Sequence, residues 1–103
     1  MRTLALLALS LSISASAQAK VAEIAWTRWS PEVLDRAASE RRLVLLDVGA
    51  VWCHWCHVMD EKTYRDPAVV AQVRRGYVAV RVDQDADPAL SARYERWGWP
   101  ATV

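Results

Sequence analysis

The run LVLLDV, Leu43 to Val48, limits what this chain can become more than any other stretch. All of its residues but Asp47 are apolar and branched. The run is also short, which suits a strand buried on both faces better than a helix. Such a strand needs helices on both sides of its sheet, so the expectation is an α/β fold.

The flanking segments fit that frame. Glu23 to Trp29 reads as a short strand, with Trp26 and Trp29 as apolar anchors. Ser30-Pro31 has the form of a helix cap followed by proline at the first helical position, and Val33, Leu34, Ala37 and Ala38 recur at helical spacing through about Glu40. A second helix opens at the cysteines and runs to about Tyr64. A third starts at Asp66-Pro67 and ends near Arg75, with Gly76 as its left-handed cap. Tyr77 to Val82, YVAVRV, alternates like a strand and ends at the acidic turn Asp83-Gln84-Asp85. Asp87-Pro88 starts a fourth helix reaching Trp97-Gly98, and Trp99 to Val103 is extended. The predicted order is β-α-β-α-α-β-α-β.

Residues 1–19 stand apart from this pattern. Arg2 precedes an apolar run from Leu4 to Ile13, and small residues follow with candidate cleavage sites after Ala17 and Ala19. This is the layout of a secretory signal peptide. The run is too short for a membrane span, which needs about 20 apolar residues. The mature domain is then residues 20–103, working in the periplasm or outside the cell. Loss of Arg2 leaves twelve basic and twelve acidic residues, from 13 and 12 in the whole chain. That balance offers no basic stripe for nucleic acid, and a monomer is expected. Disulfides persist in such a compartment. Two cysteines three positions apart close too small a loop to staple a fold, so the pair points to chemistry.

Cys53-His54-Trp55-Cys56-His57 admits three chemistries. It is a C-x-x-C dithiol, a C-x-x-C-H haem-attachment signal, and a cluster of zinc-type ligands. For haem, His57 is the proximal ligand, and the distal candidates, His54 and Met59, lie beside the attachment point. For zinc, no second ligand pair follows downstream, and no metal is expected. As a dithiol, the pair follows a buried strand and opens a helix, where free N–H groups favour a thiolate. Cys53 is then the attacking thiol, its sulfur partly exposed, and Cys56 the resolving thiol one turn deeper.

The stretch LLDVGAVWCHWCHVM, Leu45 to Met59, resembles the active-site strand and helix of the thioredoxin superfamily. CHWCHVM, Val82-Asp83 and Gly98-Trp99-Pro100-Ala101-Thr102 together are most similar to the thioredoxin-like domain of the spermatogenesis-associated protein 20 group. The resemblance covers roughly residues 26–103. It implies a central sheet flanked by helices, here without the last strand and helix of that fold. It also implies an aspartate under the redox pair, at the spacing of Asp47, and a tryptophan before the pair, at Trp52. Pro100 takes the place of the cis-proline that faces the C-x-x-C pair and binds extended substrate. Asp47 interrupts an apolar strand, which suits a buried proton acceptor for Cys56.

The expected function is a secreted or periplasmic thiol–disulfide oxidoreductase acting on protein or peptide thiols and disulfides. It would need no cofactor beyond the Cys53–Cys56 disulfide, and a membrane partner would supply or remove electrons. His54 and Trp55, between the cysteines, tune the pair together with Trp52. Trp52, Trp55 and Trp99 form an apolar platform for substrate around Pro100, whereas Trp26, Trp29 and Trp97 are expected to pack. Two alternatives stay open at this level: a c-type haem electron-transfer protein, and a thioredoxin-like binding module without turnover.

Overall fold

The computed structural model describes residues 19–103, so the expected leader, apart from Ala19, lies outside the described residues. Among the described residues the order is β1 (Thr27–Arg28), α1 (Glu32–Glu40), β2 (Leu43–Gly49), α2 (His54–Glu61), α3 (Pro67–Gly76), β3 (Tyr77–Asp83), α4 (Pro88–Ser91) and β4 (Ala101–Thr102). Two 3-10 turns interrupt it, at Thr63–Arg65 and Glu95–Trp97. The sheet order is β1-β3-β2-β4. β1 and β2 run parallel to β3, and β4 is antiparallel to β2.

The two long strands pair in register from Leu43 opposite Tyr77 to Gly49 opposite Asp83. Because side chains alternate along a strand, each face of the sheet takes every second residue. One face carries Leu46, Val48, Val78, Val80 and Val82, packed with Val33 and Ala37 of α1 and Ala101 of β4. Val48, Val78, Val80 and Val82 are almost wholly buried, each worth about 1.5–3 kcal/mol of apolar burial. The other face carries Leu45, Tyr77 and Ala79, packed against Val70 and Val73 of α3 and against Tyr64. Asp47 and Arg81 share this second face, opposite one another in the ladder.

Predicted and observed orders agree, but several boundaries move for local reasons. The first strand contracts to two residues, because only Thr27 and Arg28 find partners on β3. Helix α1 begins after Pro31 without a side-chain cap. The Ser30 hydroxyl instead serves the Glu32 carboxylate, which is held below its ordinary proton affinity by backbone and Ser30 hydrogen bonds. Gly76 is the last residue of α3 and not a left-handed cap, since the chain turns straight into β3 through an extended Tyr77. The left-handed cap falls on Arg41 instead, with φ of 53°. Asp66 caps α3 as expected, accepting from the N–H groups of Ala68 at 2.8 Å and Val69 at 3.2 Å. Asp87 makes no such bond, and α4 lasts four residues before breaking into turns. No helix among the described residues is long and apolar enough to cross a membrane.

Candidate active site

Strand β2 ends at Gly49, and the next few residues deliver the chain to the start of α2. The Cys53 N–H donates to the Ala50 carbonyl at 3.0 Å, closing a tight turn. Cys53 is extended and caps the helix. Its Sγ accepts from the Cys56 N–H at 3.2 Å, so the sulfur lies at the N–H end of α2, where partial positive charge favours a thiolate. Cys53 and Cys56 are joined as a disulfide, with Cα atoms 5.3 Å apart.

One expectation about the pair is reversed. Cys53 is only 6% exposed, whereas Cys56 is half-buried and lines a surface cleft. The physical reason is that the Cys53 sulfur turns inward to meet both the first-turn N–H and its covalent partner. Gly49 makes room for Cys56, because a Cβ at that position would stand 2.8 Å from the Cys56 Sγ.

The cleft has a volume of about 370 Å³ and runs from Cys56 to Asp47, with Asp60, His57 and Arg81 in its walls. Asp47 is buried. Its Oδ2 accepts from Arg81 Nε at 3.0 Å, and its Oδ1 accepts from the Tyr64 hydroxyl at 3.4 Å. The same hydroxyl lies 3.3 Å from Thr102 Oγ1. Arg81 Nη2 also donates to Asp60 Oδ1 at 2.6 Å. Burial pushes the Asp47 carboxyl above its ordinary value, against the opposing charge and hydrogen bond of Arg81, while the Asp60 charge adds to the rise. Burial likewise raises Tyr64. Asp47 is thus a carboxyl with increased proton affinity on the cleft that Cys56 lines.

The aromatic residues divide. Trp52 and Trp55 are exposed beside the disulfide. Trp52 Nε1 donates to Asp85 Oδ2 at 3.2 Å, and the Trp55 ring meets His54 edge-on at 5.0 Å between centroids. Trp99 is half-buried, and its Nε1 donates to Gln84 Oε1. The Trp99–Pro100 bond is cis. His57, the axial ligand required by haem attachment, directs Nε2–H to the Val51 carbonyl at 2.7 Å. Trp26 and Trp29 pack against the two core clusters. Trp97 does not pack as expected, since the short turn carrying it leaves it 64% exposed under the Arg96 guanidinium. Among the described residues no group of three or more His, Cys, Asp and Glu side chains is placed to hold a metal ion.

A family model, Thioredox_DsbH, described as a protein of unknown function (DUF255), matches residues 9–103. The chain belongs to this thioredoxin-like DUF255 family. The DUF255 domain is 30% identical over 86 residues to human spermatogenesis-associated protein 20, covering 76% of this chain and 11% of that protein. Thiol:disulfide interchange protein DsbD 2 of Pseudomonas aeruginosa is 36% identical over 81 residues, or 71% of this chain and 14% of the relative. The chain therefore spans about a tenth of the length of the curated relatives it matches. The resemblance read from CHWCHVM and GWPAT holds. At a coarse level, a DUF255 domain with a C-x-x-C disulfide is a thioredoxin-like redox module.

Four residues around the DUF255 disulfide were missed in the sequence: Gly49, Asp60, Tyr64 and Arg81. For Arg81 a signal existed. It stands fifth in YVAVRV as Asp47 stands fifth in LVLLDV, and two parallel strands aligned by their apolar runs bring those two charges side by side.

Proposed function

We propose that this domain is a thiol–disulfide oxidoreductase of the periplasm or extracellular space, acting on protein or peptide substrates through Cys53 and Cys56. One observation carries the proposal: a disulfide at the start of α2 whose second sulfur lines the same cleft as a buried carboxyl of raised proton affinity. The name of the Pseudomonas relative, a thiol:disulfide interchange protein, supports the same chemistry.

In the reducing direction, the Cys53 thiolate attacks one sulfur of a substrate disulfide. An S–S bond forms to Cys53, and the other substrate sulfur leaves as a thiolate that takes up a proton. Asp47 then accepts the Cys56 proton, and the Cys56 thiolate attacks the Cys53 sulfur. This releases the second substrate thiolate and closes the Cys53–Cys56 disulfide. Two electrons pass from the dithiol to the substrate. The reverse sequence oxidises a substrate dithiol, and a membrane partner resets the pair in either case. No cofactor other than the disulfide enters. Cys53 is only 6% exposed in the closed disulfide, so this sequence requires that opening of the pair uncovers it.

His54 and Trp55 between the cysteines, and Trp52 before them, set how strongly the pair oxidises. Trp99 and Pro100 hold an extended substrate backbone, with the exposed rings of Trp52 and Trp55 as its apolar support. Replacing Cys56 with serine should trap a substrate polypeptide as a mixed disulfide on Cys53, seen by mass spectrometry and released by dithiothreitol. Cys53→Ser should trap nothing and have no turnover. Full activity in Cys53→Ser would rule out this mechanism, and a wild type without turnover would leave only a binding module.

A further inference from the structure

Arg81 has a place in the site that its charge alone does not explain. Its guanidinium touches two carboxylates on two different elements, Asp47 of β2 at 3.0 Å and Asp60 of α2 at 2.6 Å. It also lies 4.3 Å from the centroid of the Trp26 ring, which is itself edge-on to Tyr64 at 4.9 Å. A planar fork stacked on an aromatic face and bonded through two nitrogens is fixed in orientation, which lysine cannot reproduce. The Arg81 and Asp60 side chains are 39% and 40% exposed, against 10% for Asp47. The arrangement thus reaches from solvent down to the buried carboxyl on the Cys56 cleft.

We infer that Arg81 is a positioning residue for the resolving step: shared between Asp47 and Asp60, it holds the Asp47 carboxylate at the cleft and sets how readily it takes the Cys56 proton. The inference rests on the proposal that Asp47 is that proton acceptor. The groups around Asp47 have opposing effects. Arg81 favours its ionised form, Asp60 disfavours it, and Tyr64 donates a hydrogen bond to it. His57, Asp83 and Arg28 line the same cleft, from α2, β3 and β1. None of these three has a hydrogen bond or ion pair to Asp47, and among the described residues Arg81 alone is bonded to both carboxylates.

The sign follows from Coulomb's law. Removing the cation leaves two carboxylates to repel one another, so Asp47 holds its own proton to higher pH and is ionised, and thus free to accept one from Cys56, only above that pH. Removing the Asp60 charge acts in the opposite sense and also frees Arg81 for Asp47 alone.

The test is stopped-flow reaction of the fully reduced protein with excess dithiobis(nitrobenzoate), an aromatic disulfide whose released thiol absorbs visible light. The first release, by Cys53, depends on reagent concentration. The second, when Cys56 resolves the mixed disulfide, does not. The pH profile of the second phase is measured for the wild type, Asp47→Asn, Arg81→Met, Arg81→Lys and Asp60→Asn. Arg81→Met should move the acid limb to higher pH and slow resolution on that limb by roughly three- to tenfold. Arg81→Lys should move it the same way by less, and Asp60→Asn should move it to lower pH. If Arg81→Met does not fold, the lysine and asparagine variants carry the test, because a purely structural role would not shift their profiles in opposite directions.

Asp47→Asn separates the two levels. A wild-type profile in Asp47→Asn removes Asp47 as the acceptor, and the role of Arg81 falls with it. An altered profile in Asp47→Asn, with the acid limb unmoved in both arginine variants and in Asp60→Asn, overturns the inference about Arg81 alone.

Discussion

Gly49 and Cys56 share one space: the sulfur of Cys56 occupies the volume that any side chain at position 49 would claim, 2.8 Å from where its Cβ would stand. The last residue of β2 and the second cysteine of α2 are therefore coupled by contact, and the redox helix sits as close to the sheet as an absent side chain allows.

Gly49→Ala tests this coupling. In the disulfide the Cys56 sulfur is tied to Cys53 and cannot rotate away, whereas the thiol of the reduced protein can. The variant should lose about 1–3 kcal/mol of stability in the oxidised form, the usual cost of overpacking, and less in the reduced form. Denaturant melts of both forms would show it. The equilibrium with a glutathione buffer should also move toward the dithiol.

The pH dependence of stability carries the signature of Asp47. Burial raises its proton affinity above the ordinary value of 3.8. Between that value and the higher folded one, the folded state binds more protons than the unfolded chain, so this group's contribution is present at low pH and is lost as pH rises. Asp47→Asn cannot titrate. The stability of wild type relative to Asp47→Asn should therefore decline as pH is raised through the window above 3.8, followed by calorimetry. A difference that grows with pH would mean that the Arg81 ion pair outweighs burial.

Asp66 is a purely structural test of the second layer. Its carboxylate caps two N–H groups of α3, the helix that supplies Val70 and Val73 to the core under the site. Asp66→Ala should cost about 1 kcal/mol by thermal or urea unfolding, with the rate of reaction of a small disulfide changed by less than about twofold.

Substrate binding is tested at Trp99. If its ring supports a polypeptide beside the disulfide, Trp99→Ala should raise KM for a polypeptide disulfide by roughly three- to tenfold while leaving the reaction with a small aromatic disulfide nearly unchanged. An equal loss with both substrates would indicate that Trp99 supports the fold through its contact with the first core cluster.

Much of the fold was legible because its signals are local. The run Leu43–Val48 is a buried strand by its composition alone. Asp66-Pro67 starts a helix through bonds within four residues, and two cysteines spaced three apart at a helix start need no distant partner to be recognised. Local signals failed where a longer contact decides. Glu23 to Trp29 has strand character over seven positions, yet β3 pairs with only two of them. Gly76 has the chemistry of a cap, but the chain passes straight from α3 into the pairing of β3 through an extended Tyr77.

The site divides along the same line. The sequence by itself determined the dithiol, its position at a helix start, and the presence of a carboxylate six residues before it, since all of these lie within ten consecutive residues. Only the tertiary structure decided which sulfur is covered, that Gly49 yields its space to Cys56, and that Arg81, 34 residues from Asp47, grips it together with Asp60. The reason is physical. A helix cap or a strand pattern is set by neighbours in the chain, whereas burial and the partners of a charge are set by the register of two strands that meet only after the chain has folded.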